Sequence, residues 1–465
     1  MSVAEATPDL EQLDHNDRSF LGHPKGLGFL GFTEGCERFS YYSMQTLLTL
    51  YMVNYLLVPG RMEKVIGLSW LQAHIYGGLQ GQPLASAIFG TYTTFVYFTP
   101  IFGGILADSG LGRTRTLILG GILMAIGHFL MAIESAFVFA LLALLLGVGA
   151  FKGNIASQVG ALYGPNDLRR AMAFQIFYIF INVSVIVGPL ISGTLGQKVG
   201  WHYGFGCAGV VMVLGLCIYL SGRRWLPPEE LVVPSVKAKE RQKMTRNDWL
   251  GLIYLLVLIP VLAIAMLTNQ QIFNAYLVWG DQHFDLRLLN NTSSWLITVD
   301  AAVSFTMLVA VAAFWKWWST RWTEPDEITK MIIGSLFTIA GALALFMAAL
   351  TGQNGHKISL AWPIVFEFMN SIGFAHILPV SLALFSKIAP KQINATVIGL
   401  YYLAFAAANA VVGWVGGLYS SLPTTTFWLI HAASAAVGLA AFVIFKLAIG
   451  RRLESTPENQ AAVLS

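Results

Sequence analysis

The chain has 465 residues, of which 56% are hydrophobic and only 11% are charged, and its mean hydropathy is +0.64. This composition excludes an ordinary soluble domain and is typical of a protein that crosses a membrane many times. The net charge of +4 is not accompanied by a basic patch with stacking aromatic residues, so we expect no nucleic-acid partner. The three cysteines have no metal-ligand spacing, and we expect them to pack among apolar residues.

Apolar runs of about 20 residues, the length that crosses a bilayer as a helix, recur along the whole chain. Residues 1–26 precede the first run and lack the basic start, short apolar core and small-residue cleavage site of a signal peptide. The runs predict an all-α integral membrane protein with twelve spans at 27–56, 84–108, 115–133, 135–162, 171–195, 200–222, 249–281, 294–318, 328–350, 358–386, 395–421 and 424–449.

A polar, proline-containing stretch at 223–248 divides these spans into six plus six and reads as a cytoplasmic linker. We therefore predict an N-terminal segment at 1–26, six-helix bundles at 27–222 and 249–449, and a cytoplasmic tail at 450–465. Two parallel bundles of this kind place a substrate site between them, near the middle of the membrane.

The distribution of basic residues predicts the orientation of the chain. With the N-terminus inside, most of them fall in inner loops, which is the bias that positions cytoplasmic loops. We therefore expect both termini to be cytoplasmic. The outer loops would hold only Arg61, Lys64, Lys198, Arg287 and Lys357.

Three charged residues interrupt the first apolar run, at Glu34, Glu37 and Arg38. Each ionised side chain at a helix centre costs about 2.5 to 3.5 kcal/mol, so they must pair and face a polar environment. Glu34 and Arg38 are four residues apart, and Tyr41 and Gln45 continue the same face. The pattern fits either an ion pair that fixes helix packing or a titratable, water-lined pathway.

Asp108 lies in the glycine-rich stretch 103–115, which connects spans two and three on the predicted inner side. A carboxylate at a helix end can meet the start of the following helix or a basic loop residue. Asp108 is therefore a candidate gate residue that releases when the bundles rock. A plain tight turn flanked by arginines is the alternative.

Spans four and five each carry one polar residue of interest. Lys152 in span four is too far from either end to reach the membrane surface easily, which favours a cationic group that faces the cavity and could bind a carboxylate. Asn182 in span five lies at a depth where it could hydrogen-bond either substrate or a neighbouring helix.

The stretch from Glu34 to Tyr42 resembles the signature of the proton-dependent oligopeptide transporters, a family within the major facilitator superfamily. Residues 104–115 are similar to that family's loop between helices two and three, and residues 174–182 to its helix-five signature. Ala389-Pro390-Lys391 resembles its loop before helix eleven. The resemblance covers most of the chain and is strongest in the first half.

This resemblance implies a major facilitator fold and roles for individual residues. Glu34 and Glu37 match acids that take part in proton coupling. Arg38 and Lys152 match basic residues that face the carboxylate end of a di- or tripeptide. The side chains that match pocket-lining tyrosines and the helix-five asparagine are Tyr41, Tyr42, Tyr92 and Asn182.

The second half departs from the family pattern at two acids. The usual helix-seven glutamate, linked to the extracellular gate, is replaced in a segment that reads Asn269-Gln270-Gln271. The usual helix-ten glutamate, linked to the peptide's ammonium end, is replaced by Phe374. We predict that Gln270, Gln271 and Phe374 line the substrate site instead, together with Tyr401, which stands where the family commonly has tryptophan.

Two other acids in the second half are candidates to take over the missing tasks. Asp300 lies about two turns into span eight and is predicted to join the proton-coupling residues, because an isolated acid in a span needs a partner. Glu367 lies in span ten, seven residues before Phe374 and on roughly the same face, and is predicted to contact substrate. His376 is expected to be a neutral residue hydrogen-bonded between helices, with a proton relay as the minor alternative.

Taken together, the residues and the resemblance predict a proton-coupled symporter that imports di- and tripeptides by alternating access. We expect a monomer in the cell inner membrane, surrounded by the lipid bilayer, whose partners are a small peptide and protons and which needs no cofactor beyond the coupling ion H⁺. Another carboxylated or peptide-like solute is the alternative substrate. A channel or uniporter would move solute without protons, and the motifs of zinc proteases, nucleophile-elbow hydrolases and phosphate-binding loops are missing from the sequence.

Overall fold

The computed structural model describes residues 17–164, 167–228, 244–352, 355–390 and 393–454. Most of the predicted terminal segments, residues 229–243 of the predicted linker, and Lys391 lie outside these ranges. Within them the chain forms fifteen α-helices. Their bounds are α1 Lys25–Tyr51, α2 Leu68–His74, α3 Gly81–Leu106, α4 Arg113–Leu130, α5 Phe137–Ala161, α6 Arg169–Gly188, α7 Trp201–Ser221, α8 Arg246–Ala265, α9 Leu267–Gln270, α10 Ala275–His283, α11 Trp295–Ser319, α12 Glu327–Thr351, α13 Ala361–Ile388, α14 Asn394–Gly417 and α15 Thr424–Glu454.

The all-α fold expected from the apolar runs is confirmed, with twelve spans. Helices α1 and α3–α7 form six of them, α8–α10 together form a seventh, and α11–α15 form the remaining five. Among the described residues, nine helices are long and apolar enough to cross a membrane by composition alone. Helices α1, α3 and α4 are not among these nine, and α1 is the helix that carries Glu34, Glu37 and Arg38.

Two helices of the second half begin with side chains that satisfy their first backbone N–H groups. Thr245 Oγ1 accepts from the N–H of Asp248 at 3.2 Å, and Asp248 Oδ2 accepts from the N–H of Thr245 at 2.7 Å, a reciprocal cap that starts α8. At the start of α12, Asp326 accepts from the N–H of Thr329 at 2.9 Å and from Lys446 of α15 at 2.8 Å. Burial opposes ionisation there, but these hydrogen bonds outweigh it and lower the pKa of Asp326.

The twelve spans form two halves, α1–α7 and α8–α15, which pack against each other through α3 with α14 and α6 with α11. We call the side on which residues 17–24 and the end of α15 lie the terminal face, and the other side the opposite face. The contact of α3 with α14 is unusually close at Gly90 and Gly413, where a Cβ on Gly90 would lie 2.4 Å from Cα of Gly413. Glycine allows helix backbones to approach in this way inside membranes.

The seventh span is broken in the middle. Helix α8 ends at Ala265, α9 covers a single turn, and Asn274 has the non-helical dihedral angles φ −118° and ψ −110° before α10 begins. Irregular backbone at membrane depth is tolerated only where protein or a water-filled cavity surrounds it. Gln271 and Asn274 are fully buried, so this break lies inside the protein and faces the other half of the molecule.

Candidate functional site

Helix α1 brings Glu34, Glu37 and Arg38 together, and we call these three residues the charged cluster. Arg38 donates from Nη2 to Glu37 Oε1 at 2.7 Å and from Nε to Glu37 Oε2, which makes a two-pronged contact. Glu34 Oε1 lies 3.2 Å from Arg38 Nε. At most 4% of any of the three residues is exposed. The sequence predicted this pairing, although it is the adjacent Glu37, rather than Glu34 one turn away, that holds both guanidinium prongs.

Lys152 of α5 adds a second positive charge near this cluster. It interacts electrostatically with Glu34, Glu37 and Arg38, and its Nζ lies 5.3 Å from the centre of the Tyr97 ring. No ion pair of Lys152 with an acid is present in the described part of the chain. An ammonium group over an aromatic face retains some stabilisation without a carboxylate partner. Lys152 is therefore placed to receive an anionic group from a ligand.

Tyrosines form a wall beside the charged cluster. Arg38 lies 5.2 Å from the Tyr41 ring centre, and Tyr41 meets Tyr42 edge to face at 5.3 Å. Tyr42 in turn lies 6.1 Å from Phe273, in the break of the seventh span. Tyr92 of α3 is buried and interacts electrostatically with Glu37, and its hydroxyl has no hydrogen-bond partner among the described residues. Three of the predicted pocket residues therefore surround one cluster.

Asn182 of α6 is half-buried and makes no hydrogen bond with another of the described helices. Its Nδ2 donates to the carbonyl of Tyr178, one turn earlier, at 2.8 Å. Of the two uses that the sequence left open, bonding to a neighbouring helix does not occur in this conformation. The carbonyl end of the amide has no protein partner within the described ranges.

The amides predicted at the broken seventh span have different surroundings. Gln270 accepts from Asn409 of α14 at 3.4 Å. Gln271 is fully buried, and neither end of its amide has a partner in the part of the chain that the structure describes. Asn274, which the sequence analysis did not select, accepts from Ser86 of α3 at 2.9 Å and so joins the two halves. Gln271 is the residue of this group with unused hydrogen-bonding capacity.

Phe374 and Tyr401 differ in their burial and in their contacts with the rest of the protein. Phe374 is half-buried on α13. Tyr401 is buried, lies 3.0 Å from the Ser381 hydroxyl and donates to the Leu378 carbonyl at 3.1 Å. These bonds cross from α14 to α13 next to Pro379, where the helix lacks one backbone donor. Tyr401 therefore helps to hold α14 against α13, whether or not it also contacts a ligand.

Asp300 and Glu367 are brought together by α11 and α13. Their carboxyl groups lie within hydrogen-bonding range of each other, and Glu367 Oε1 accepts from the Tyr276 hydroxyl at 2.7 Å. Sequence reasoning assigned the two acids to different tasks and did not select Tyr276. His376, as expected, is bonded between helices, since its Nε2 accepts from Trp315 of α11 at 3.1 Å.

Asp108 lies at the terminal face, away from the charged cluster. It is exposed in the wide turn Ala107–Leu111 at the terminal face. It makes no ion pair or hydrogen bond with any residue of the described ranges. Gly110, at φ 108°, and Gly112, at φ 84°, make the sharp turn into α4 that only glycine adopts readily. The predicted gate function of Asp108 stays a prediction.

A polar gate at the opposite face was missed by sequence reasoning. Asp281 of α10 accepts from Asn54 at 3.0 Å, from Gln197 at 3.4 Å and from Ser293 at 2.7 Å. Trp295 donates to Thr194 at 2.8 Å in the same layer. Asp281 lies at the edge of an apolar run, where charged residues are common, so the sequence does not single it out. Its partners are identified from the fold.

The halves are therefore closed at the opposite face and open at the terminal face. Within the described ranges, the hydrogen bonds that join them extend from the Asp281 gate down to Thr94, which donates to the Ala406 carbonyl at 3.2 Å. The ring pair of Tyr97 and Phe405, at 5.2 Å, lies one turn nearer the terminal face. Tyr178 of the first half and Tyr402 of the second are both exposed and interact electrostatically.

Because Asp281 is the common acceptor of three donors, two of them from the first half, replacing it with alanine should loosen the gate. Hydrogen bonds to a charged group are worth about 1.5 to 3 kcal/mol, enough to shift an open–closed equilibrium by roughly tenfold or more. Spin labels at Val58 and Leu288, both exposed in opposite-face loops, should move to longer distances in the Asp281→Ala variant.

The matched control for this measurement is Asp285→Ala, because the ion pair that Asp285 forms within the described ranges is with Arg287 of its own loop, at 2.5 Å. Both variants would carry the labels in a background without Cys36, Cys207 and Cys217. A distance distribution in Asp281→Ala that matches the Asp285→Ala control would show that Asp281 does not hold the gate.

An apolar crevice of about 180 Å³ lies between α2, α3 and α5. Leu68, Phe95, Phe137 and Leu141 are among its walls, and although Tyr76, Thr91 and Tyr92 also line it, it has no charged group that would bind the ends of a peptide. Among the described residues there is also no group of three or more histidines, cysteines or acids suited to a metal ion. The charged cluster, Lys152 and the surrounding tyrosines are therefore the best candidate site.

This chain is similar in sequence and in fold to several known proteins. The model of the Major Facilitator Superfamily matches residues 39–413. Peptide transporter YePEPT of Yersinia enterocolitica is 27% identical over 95% of this chain and 98% of its own length. A di-/tripeptide transporter of Lactococcus lactis subsp. cremoris is 27% identical over 90% of this chain and 95% of its own. The crystal structure of peptide transporter POT in complex with sulfate has a TM-score of 0.81 with this chain, at 25% identity over 96% of this chain and 99% of that one.

Proposed function

Because the chain belongs to the major facilitator superfamily, whose members are transporters rather than enzymes, we propose that it is a proton-coupled symporter for di- and tripeptides. The similarity to curated peptide transporters over nearly the full length supports this substrate class. The single observation that carries the proposal is the buried charged cluster of α1, in which two carboxylates compete for one guanidinium.

The geometry of Arg38 suggests how a proton and a peptide are coupled. Glu37 occupies the Nε and Nη2 edge of the guanidinium, which is an edge that a peptide carboxylate would also bind with two parallel hydrogen bonds. A proton on Glu37 weakens its hold on Arg38 and frees this edge. The peptide carboxylate then binds Arg38, with Lys152 as the second cation, and release of the proton on the other side restores the Glu37–Arg38 pair.

The other end of the peptide would meet neutral groups. Gln271, whose buried amide has no partner among the described residues, and Asn182, whose carbonyl oxygen is free of protein donors there, can each accept a hydrogen bond from an ammonium group. Tyr42, Tyr92 and Phe374 supply aromatic walls. Because no acid stands at position 374, an unmodified amino terminus is a weaker requirement than a free carboxylate, and another carboxylated or peptide-like solute is the second candidate substrate.

The orientation completes the proposal. We place both termini in the cytoplasm of a cell whose inner membrane holds the protein as a monomer in lipid, in agreement with the distribution of basic residues. The terminal face then opens to the cytoplasm, and the Asp281 gate closes the outer side. With an inside-negative potential, each entering proton contributes about 2.3 kcal/mol per 100 mV to uptake.

Proton flux into proteoliposomes tests this function directly. Under an imposed inward proton gradient, dialanine and trialanine should each be accumulated and should each increase proton entry, while a dipeptide amide without the carboxylate should do neither. An N-acetylated dipeptide should retain part of the activity, because the amino end meets only neutral groups. Peptide flux without proton entry would point to a uniporter, and absence of flux with all peptides would favour the other solute class.

A further inference from the structure

The strongest unexplained feature outside the charged cluster is the acid pair of Asp300 and Glu367, in the middle of the second half. Only 1% of Glu367 is exposed. Its Oε1 accepts from Tyr276 at 2.7 Å, while its Oε2 is buried without any protein donor among the described residues. Asp300 Oδ1 is likewise buried without a donor, and the two carboxyl groups are within hydrogen-bonding range of each other.

Two carboxylates in contact cannot both be ionised where water is excluded, because their repulsion adds to the cost of burying each charge. A carboxylate is also only an acceptor, so the contact between Asp300 and Glu367 requires a proton on one of them. One proton between them supplies the donor that this contact lacks and leaves the pair with a single negative charge. The Tyr276 hydroxyl then stabilises that remaining charge.

Among the described residues, no lysine or arginine in this region offers an alternative partner. Helix α10 contributes Tyr276, and α15 contributes His431, whose ring lies 5.0 Å from Trp428, which in turn lies 6.3 Å from Tyr276. Helix α13 also carries His376, which is two and a half turns further along and is bonded to Trp315. The facing parts of α6, α12 and α14, at 182–190, 334–348 and 396–417, contain no acidic or basic residue.

We infer that Asp300 and Glu367 hold one proton between them and form a second coupling site, separate from the charged cluster and directly beneath the Asp281 gate. Tyr276 lies on the same short helix as Asp281, five residues earlier. Asp300 lies two residues after Thr298, which donates to the Ile186 carbonyl of the first half at 3.0 Å. The charge of the pair therefore acts on both helices, α10 and α11, that carry the second half's side of the gate.

This inference rests on the proposed proton-coupled function for its role in transport, but the shared proton itself can be tested without any substrate. The single variants Asp300→Asn and Glu367→Gln test whether the two acids share one proton. In each, an amide N–H replaces the proton as donor to the remaining carboxylate, so the hydrogen bond and the single negative charge are both kept and only the titration is lost.

Infrared spectroscopy of the full chain in lipid, followed through a pH titration, measures the protonated-carboxyl stretching band. We expect Asp300→Asn and Glu367→Gln each to remove the same part of this band, and the double variant to remove no more than either single variant. The control Glu134→Gln changes an acid at the opposite face that pairs with Arg61 and should leave the band unchanged. A double variant that loses twice the intensity of each single one, or single variants with no loss, would overturn the shared proton.

Proton and dialanine fluxes measured on the same proteoliposomes test the coupling role. Each single variant should carry one proton fewer per dialanine than the wild type, and the double variant should show no further loss. An unchanged proton-to-dialanine ratio in the single variants would contradict the coupling role. If the wild-type protein itself moved no protons with dialanine, the proposed function would fail, while the infrared bands would still decide whether the pair shares a proton.

Discussion

Replacing Glu37 with glutamine will abolish uptake of peptide against a concentration gradient and will leave peptide exchange intact. Glutamine preserves the shape of the side chain and can still accept a hydrogen bond from Arg38, but it binds no proton at any physiological pH. Because Glu37 is completely buried and holds both prongs of Arg38, peptide binding at Arg38 would then no longer be linked to a proton, and a proton held by Asp300 and Glu367 would move independently of the peptide. Peptide could cross in either direction, but without energy from the proton gradient.

The expected loss is large. At an imposed potential of about 100 mV, one proton per peptide supplies about 2.3 kcal/mol, which corresponds to roughly a 50-fold accumulation. Proteoliposomes containing Glu37→Gln should accumulate dialanine only to equal concentrations inside and outside. The rate at which labelled dialanine exchanges for unlabelled dialanine should be of the same order of magnitude as in the wild type. Glu134→Gln serves as the control acid. Gradient-driven accumulation that survives in Glu37→Gln would remove Glu37 from the coupling mechanism.

The second large effect is expected at Arg38. Lysine keeps the positive charge but carries it on one compact ammonium group, so it cannot reproduce the two parallel bonds that a planar guanidinium forms with a carboxylate. Losing one charge-assisted hydrogen bond costs about 1.5 to 3 kcal/mol, so dialanine uptake by Arg38→Lys should fall roughly 10- to 100-fold at subsaturating peptide. Arg38→Ala should also destabilise the protein by about 3 to 5 kcal/mol, because Glu34 and Glu37 would be left unpaired in the protein interior.

The measurement combines initial uptake rates with the thermal stability of the purified protein. Arg61→Lys is the matched control, because Arg61 pairs with Glu134 at 2.8 Å at the opposite face and should tolerate the change in both assays. Arg38→Lys with wild-type stability but reduced uptake would assign the guanidinium to the peptide carboxylate. Wild-type uptake by Arg38→Lys would contradict that role. An equal loss of stability in both Arg38 variants would show that Arg38 serves helix packing rather than peptide binding.

Much of the fold followed from the sequence because membrane spans depend on local composition. Apolar runs predicted twelve spans, and the spacing of Glu34, Glu37 and Arg38 predicted that they would pair within one helix. The break in the seventh span was not predicted, since the run 249–281 is mostly apolar and its polar residues Asn269 to Gln271 do not by themselves interrupt a helix. It is tertiary packing against α3 and α14 that supports the irregular turn at Asn274.

Contacts between distant helices were the part that the sequence could not supply. Asp300 and Glu367 were recognisable as buried acids, but nothing local indicated that they face each other or that Tyr276 completes the group. Asp281 and its partners Asn54 and Gln197 come from three separate spans, and each lies at the end of an apolar run where polar residues are common. Such groups are identified only when the relative rotation of the helices is known.

The glycine contact between α3 and α14 bears on how fast the transporter can work. At Gly90 and Gly413 the two backbones touch without side chains that interlock, so one helix can roll over the other without first separating from it. This smooth contact lies between the gate at the opposite face and the opening at the terminal face, which is where two rocking bodies need a pivot. The turnover rate of the carrier would then depend partly on the Gly90–Gly413 contact, which binds neither a proton nor a peptide.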